Sequence, residues 1–273
     1  MNYTTIKAAK EEGIGFLTFS RPQIHNAISV ELMVETMDAL DRLARDDAVR
    51  VIVVSGEGKS FCSGFDLKQS VQRATKGVSG WRTRYEQNFE FMLSFWDCPK
   101  PTIASIHGHC LAGGFELSLA CDISIAAQSA RFGMPEAKFG SSSVLLMLPW
   151  LAGPKMAKEI LMCGLEGFDA HLAREARIVN HVVPDAQREA FTRELALQIV
   201  SSSPYSVSYF KKVINQTFDA MGMRTALRAA LDAGIMVEAD ENPETIEFSR
   251  IRKESGLKAA IEWRKSRSTV VAS

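Results

Sequence analysis

Short, continuous apolar runs alternate along this chain with segments of helical period. Ile14 to Phe19 reads as a strand, and Val49 to Ser55, Pro101 to His107 and Asp122 to Ala127 read as buried strands. Between the first two, Ser29 is placed to cap a helix whose apolar positions Leu32, Val34, Met37, Leu40 and Leu43 roughly follow the helical period. Trp81 to Trp96 is patterned as an amphipathic helix and Gly113 to Cys121 as another. The polar, glycine-containing stretch Lys68 to Gly80 reads as a mobile loop. Strands separated by helices predict an α/β fold with at least partly parallel sheets. From about Pro184 the pattern changes: Asp185 to Val200, Ser206 to Phe218, Met223 to Glu241 and Pro243 to Glu254 are all helical, and no strand is evident. The expected organisation is an α/β core over residues 1–200 and a helical region over 201–273, with Ser201 to Pro204 as punctuation.

Composition narrows the function classes. Lys+Arg and Asp+Glu are 32 each, so the formal net charge is zero, without the overall footprint of a nucleic-acid or anionic-membrane binder. With 46% hydrophobic and 23% charged residues, the chain is neither collagen-like, coiled-coil nor largely disordered. Its longest apolar run, Val144 to Ala152, is interrupted by Pro149 and falls short of the roughly 18 residues that span a membrane. The segment Met1 to Lys7 has no apolar signal core, so a cytoplasmic protein is expected. Cys62, Cys98, Cys110, Cys121 and Cys163 show no C-x-x-C spacing and are expected to be free, buried thiols. Neither a P-loop nor a G-x-G-x-x-G motif is present, and the five histidines lack H-E-x-x-H spacing. No metal or redox cofactor is implied.

Two glycine-containing segments follow strands. In Ser60-Phe-Cys-Ser-Gly-Phe-Asp-Leu67, Gly64 permits a bend that can turn the Phe65 amide into a cleft, although such loops are more often plain turns. In Ile106-His-Gly-His-Cys-Leu-Ala-Gly-Gly-Phe-Glu116, a strand runs through a glycine pair straight into a helix. Amides at a helix start have no intrahelical partner and suit a developing oxyanion, or they mark only a closely packed helix start. Glu116 lies in the first turn of that helix among apolar neighbours. It is either a dipole partner or a partly desolvated carboxylate with a raised pKa. Glu136 follows Pro135 at another strand-to-loop junction, twenty residues further on. Sequence alone does not place the two carboxylates in one cleft.

Together, in this order and at these distances, the segments resemble the crotonase family, the enoyl-CoA hydratase/isomerase superfamily. Arg21-Pro-Gln-Ile-His-Asn-Ala-Ile-Ser29 is similar to the family's R-P-x-x-x-N-A-L-[ST] segment, Ser60 to Leu67 to F-x-[AS]-G-x-D-[LI], and His107 to Glu116 to G-x-x-x-G-G-G-x-E. Arg131 to Glu136 matches F-x-x-P-E, and Gly164 to Pro184 resembles the later A-x-x-x-G-[LI]-V-x-x-V-V-P stretch. The resemblance implies a spiral of β-β-α units followed by helices that build a homotrimer, often paired into a hexamer. It implies an acyl-CoA thioester as substrate, with coenzyme A present only as part of it.

The Phe65 and Gly113 amides would form the oxyanion hole, next to Gly114. Ile24 and His25 would line the CoA nucleotide site, with Cys62, Ser63, Asp66, Leu67 and Lys68 contributing to substrate and CoA binding. A basic cluster of Arg264, Lys265 and Arg267 could reach the CoA phosphates or form a solvated tail. Glutamate stands at both positions that the hydratases use: Glu116 would position and activate water, and Glu136 would move the proton at Cα. That pair favours a hydratase over a Δ3-Δ2-enoyl-CoA isomerase, which needs only the second. Other acyl-CoA reactions and a catalytically idle relative are the alternatives.

The chain also departs from the family. Where hydratases commonly have G-x-x-P-G-x-G-G-T, it reads Phe139-Gly-Ser-Ser-Ser-Val-Leu-Leu-Met-Leu-Pro149. Ala112 stands where a third glycine is frequent. Phe65 replaces a frequent alanine, and its ring is expected to narrow the pocket.

Overall fold

The structure, a computed structural model, describes residues 3–72, 75–240 and 242–268. The chain begins with a hairpin, β1 (Ile6–Glu11) and β2 (Ile14–Phe19), followed by α1 (Val30–Arg45) and β3 (Val51–Gly56). Then come α2 (Leu67–Gln72), α3 (Gly77–Asp97), β4 (Thr102–Ile106), β5 (His109–Leu111) and α4 (Gly113–Ala120). The next turn is β6 (Ile123–Ala127), β7 (Arg131–Gly133) and α5 (Glu136–Phe139). The rest runs through α6 (Leu148–Met162), β8 (Glu166–Asp169), α7 (Ala170–Glu175) and β9 (His181–Val183) to the helices α8 (Arg188–Ser201), α9 (Pro204–Ala220), α10 (Met223–Ala239), α11 (Pro243–Ser255) and α12 (Leu257–Ser268).

Two sheets organise this path. One has the order β1-β2-β3-β4-β6-β9, parallel except for β1 at its edge. The other has the order β5-β7-β8. The units β4-β5-α4 and β6-β7-α5 each give one strand to each sheet and then a helix, so the chain advances as a spiral. Val51 to Val54 of β3 and all five residues of β4, Ile103 and Ile106 among them, are buried because both faces of the large sheet are covered. The main core, with α1, α3 and α4, lies on one face. A smaller one, where Ala196 of α8 meets Ile14, Val51, Val53, Ile103 and Ile125, lies on the other. All eight residues of α4 are buried, which is why its sequence is apolar nearly all round. Met223, Leu227, Leu231 and Ile235 of α10 belong to the main core, so this C-terminal helix packs on its own chain, chiefly against α3.

Several details differ from the sequence reading. In α1, Ser29 does cap the helix, its Oγ accepting from the Leu32 amide at 3.2 Å. The buried face is Leu32, Met33, Thr36, Ala39, Leu40 and Leu43, while Val34 and Met37 are exposed on the far side. The expected loop Lys68 to Gly80 is largely helical. Asp66 caps α2 through the Lys68 and Gln69 amides at 3.0 and 3.1 Å, and α3 starts at Gly77; residues 73 and 74 lie outside the described residues. All five cysteines are free, but Cys163 is exposed. It sits at the end of α6, just before the chain turns at Gly164.

Beneath α4, the ring of Phe115 packs edge-on against Phe132 of β7 and Phe168 of β8, with centroids 6.1 and 5.9 Å apart. This cluster joins the helix to the small sheet. Phe115→Ala is expected to lower the free energy of unfolding in urea by about 3–5 kcal/mol, the range for removing a buried aromatic ring. A loss below about 1 kcal/mol would show that the cluster does not hold α4 in place.

Candidate active site

The site is built where three loops leave the sheets side by side. The first is the turn after β2. Here Arg21 donates to the Ala27 carbonyl at 2.5 Å and to Asp66 at 3.0 Å. Buried Asn26 accepts from the Arg21 amide and donates to the carbonyls of Glu57 and Ser60. The second is the 62–68 loop. The Ser63 amide bonds the His25 carbonyl at 3.0 Å, and the Ile28 amide bonds the Gly64 carbonyl at 2.8 Å. The third is the β5-α4 turn, held to the second by Cys62 N to His109 O and Leu111 N to Cys62 O, both 3.0 Å.

Glycines allow the last two loops to touch. Gly64 has φ +93°, open to glycine, and a Cβ there would fall 2.6 Å from that of Ala112. A Cβ on Gly114 would fall 2.5 Å from the Cys62 carbonyl oxygen. The loops therefore meet at Phe65 and Gly113. Among the described residues, neither of these two amides donates a hydrogen bond to the protein. The Gly113 amide also opens α4, where N–H groups carry the positive end of the helix dipole. Ala112 before it adopts φ 52° and ψ −128°, a conformation that L-residues avoid. Its amide holds the Gly133 carbonyl at 2.8 Å, and its carbonyl accepts the Glu116 amide at 3.0 Å.

That bond to Gly133 extends the parallel pairing of β5 with β7. It sets Gly113 beside the residue that precedes Met134, Pro135 and Glu136 by one short step. Glu116, one turn into α4, and Glu136, at the start of α5, are thereby brought together, and the charge of Glu116 is felt by Glu136. Glu116 is buried, and burial raises its pKa. Hydrogen bonds to its Oε1 from the Ser143 hydroxyl and from the Leu145 amide, at 2.9 Å, oppose that shift. Glu136 has a buried Oε2 without a partner among the described residues. Burial, then the charges of Glu116 and Glu238, push its pKa up to about 8. At neutral pH Glu136 therefore holds a proton.

The remaining residues singled out from sequence have varied positions. Ile24 and Ser63 lie beside the exposed His25, whose Nδ1 is 2.9 Å from Ser60 Oγ and whose ring meets His109 edge-on. Leu67 and Lys68 are exposed at the start of α2. The Asp66 side chain bridges Arg21 and caps α2. The Cys62 thiol is buried and donates to the Asn26 carbonyl. The Phe65 ring stands over Gly113, where a Cβ would come within 2.9 Å of it. The ring also lines a cavity of about 10 Å³, shared with Arg84 and Asn88 and large enough for one water. Arg264 is no free phosphate ligand: it bonds Glu244 at 3.0 Å and the Lys138 carbonyl at 2.8 Å, and covers the Phe248 ring. The side chain of Arg267 lies outside the described residues. A larger cavity, about 620 Å³, lies elsewhere between the large sheet and α8 and contains neither glutamate.

The sequence reading did not find Tyr85 or Glu238. Glu238 on α10 accepts at Oε1 from the Tyr85 hydroxyl at 2.6 Å, from the Ser142 amide at 3.0 Å and from the Ser141 hydroxyl. Nothing in the local pattern of α3 or α10 marks either residue, because the contact spans 153 positions.

This arrangement offers two free amides beside a buried carboxylate held as an acceptor and a half-buried one whose pKa is raised. The Enoyl-CoA hydratase/isomerase family profile matches residues 9–264. The crotonyl-CoA hydratase of Syntrophomonas wolfei is 30% identical over 97% of this chain and 98% of its own length. The hydroxycinnamoyl-CoA hydratase-lyase of Pseudomonas fluorescens is 32% identical, over 74% of this chain and 75% of its own. An enoyl-CoA hydratase/isomerase structure from Xanthobacter autotrophicus Py2 superposes with a TM-score of 0.94 at 39% identity, covering 97% of this chain and 99% of that one. The chain belongs to the enoyl-CoA hydratase/isomerase family.

Proposed function

We propose that this enzyme adds water across the 2,3-double bond of a 2-enoyl-CoA. The observation that carries the reading is the pair Glu116, buried, and Glu136, half-buried with an unpartnered buried Oε2, in unequal environments beside the Phe65 and Gly113 amides. The thioester carbonyl accepts hydrogen bonds from those two amides, which stabilise the enolate as charge moves onto oxygen. Glu116, as carboxylate, takes a proton from water while the water oxygen bonds to Cβ. The electron pair of the double bond moves through Cα to the carbonyl, and protonated Glu136 delivers its proton to Cα. The step leaves Glu116 protonated and Glu136 ionised, and proton exchange with solvent resets both. Coenzyme A arrives as part of the substrate, and the reaction as written uses no other cofactor. Ile24, His25, Ser63 and Lys68 are the surface on which CoA would lie. The setting proposed is cytoplasmic.

One observation favours a second reading. Protein donors already occupy Oε1 of Glu116. If they keep it from water, Glu136 alone would move a proton between carbons, as in a Δ3-Δ2-enoyl-CoA isomerase. Loss of the enoyl-thioester absorbance, with crotonyl-CoA and longer, branched and aromatic enoyl-CoAs, separates the two. The hydratase reading expects turnover by wild type and a loss of about 10²-fold or more in kcat for both Glu116→Gln and Glu136→Gln. No hydration of any substrate, with a 3-enoyl-CoA isomerised by wild type and Glu116→Gln alike, would replace it with the isomerase.

The environment of Glu136 also sets a pH dependence. The folded chain holds a proton up to about pH 8 that the unfolded chain releases near its ordinary value of 4.5. Stability from this group is therefore greatest below the lower value and declines as pH rises towards the upper one. Hydration should fall over the same upper range, because ionised Glu136 has no proton for Cα. Glu136→Gln removes the ionisation, so its melting temperature should rise relative to wild type between pH 5 and pH 9. An unchanged difference across that range would mean that Glu136 titrates normally.

We assign the C-terminal helices to assembly as a trimer or hexamer. Helix α9 turns Lys211, Asn215 and Phe218 inward and exposes Tyr205, Tyr209, Phe210, Val213 and Ile214 on its other side. The double variant Tyr209→Asp, Phe210→Asp should elute as a monomer in light-scattering chromatography where wild type elutes as a trimer or hexamer. A monomeric wild type would contradict the assignment.

A further inference from the structure

The serine triplet Ser141 to Ser143 replaces the glycine-rich stretch common in the family, and each serine has a partner. The Ser143 hydroxyl donates to Oε1 of Glu116. The Ser141 hydroxyl and the Ser142 amide donate to Oε1 of Glu238, the latter at 3.0 Å. The Ser142 hydroxyl donates to the Tyr85 hydroxyl at 3.2 Å, and the Tyr85 hydroxyl donates in turn to Glu238 at 2.6 Å. Helix α10 approaches so closely at Gly234 that a Cβ there would fall 2.7 Å from Ser142 Oγ. The triplet is thus a strap with fixed ends, one on α10 and α3, the other on Glu116.

We infer that Ser143 is a positioning residue for Glu116. A carboxylate on a buried helix has two equivalent oxygens and one rotatable terminal torsion, so something must choose which oxygen meets the cleft. The Ser143 hydroxyl and the Leu145 amide both converge on Oε1, which distinguishes it from Oε2; in the proposed reaction Oε2 is the oxygen that takes the proton from water. A hydroxyl donor also stabilises the ionised form that base catalysis needs. Serine does this without the backbone freedom of a glycine loop because Ser141 and Ser142 are already tied down. Burial and the bonds from the 143–145 segment act on Glu116 directly; Glu136 from α5 feels the charge of Glu116 and that of Glu238 from α10, to which the Tyr85 hydroxyl of α3 donates. Arg264 of α12 lies at Gly140, where the strap begins.

This assignment deepens the hydratase reading and rests on it for its kinetic half, so the test has a second readout. The Glu116 carboxyl is followed by ¹³C NMR through a pH titration in glutamate-labelled protein, with Glu116→Gln to identify its signal. Wild type, Ser143→Ala and Ser143→Thr are compared, each also assayed for hydration. Ser143→Ala should move the Glu116 titration, and with it the acid limb of kcat/KM, to higher pH. It should lower kcat about tenfold to a hundredfold and leave KM within about twofold. Ser143→Thr keeps the hydroxyl and should return both readouts towards wild type. A Glu116 titration in Ser143→Ala that matches wild type, or a threonine variant no better than alanine, would overturn the assignment. If wild type hydrates no enoyl-CoA, the hydratase reading fails, and the titration still decides the role of Ser143.

Discussion

One backbone hydrogen bond holds the two halves of this site in register. The Ala112 amide reaches the Gly133 carbonyl at 2.8 Å and extends the three-residue pairing of β5 with β7. Everything chemical follows from that alignment. It fixes the start of α4, and so the direction of the Gly113 amide and the place of Glu116. It fixes the end of β7, and so the point at which Glu136 begins α5. Ala112 keeps φ 52° to make it, a strain on the order of 1–3 kcal/mol that the bonds on both sides of the residue over-determine. The Phe115, Phe132 and Phe168 cluster packs α4 against β7 and β8 beside the same joint.

Putting two carboxylates at such a joint separates their roles. Both are desolvated, and two adjacent buried negative charges are costly, so one of the pair keeps a proton. Hydrogen bonding decides which. Glu116 has the Ser143 hydroxyl and the Leu145 amide as donors, whereas Glu136 has a buried oxygen with no donor among the described residues. The proton therefore rests on Glu136. Two identical side chains are thus set apart through their surroundings alone.

Much of this was legible in the sequence, and the reason for each gap is physical. The strands of the large sheet announce themselves because both faces are buried and the runs are continuously apolar, as in Val51 to Val54. The glycines at 64, 113 and 114 mark close backbone approaches that a Cβ would block. The small sheet was not visible, since β5 and β7 have three residues each, too few for any period to show. Without that pairing, Glu116 and Glu136 could not be placed together from residue pattern. Helix α2 was missed because Asp66 caps it after a stretch whose composition reads as loop. The serine triplet was visible as a departure from the family. Its partners Tyr85 and Glu238 were not, because they come from helices remote in sequence and carry no local signature.

The central claim is that Glu116 and Glu136 serve one face of one double bond. Hydration in D₂O tests it directly, because the deuterium delivered to Cα and the hydroxyl added to Cβ leave a stereochemical record that ¹H NMR of the product reads. Glutamates gathered at one joint predict syn addition, with both groups on the same face. Anti addition, or deuterium scrambled over both faces of Cα, would contradict the two-carboxylate account.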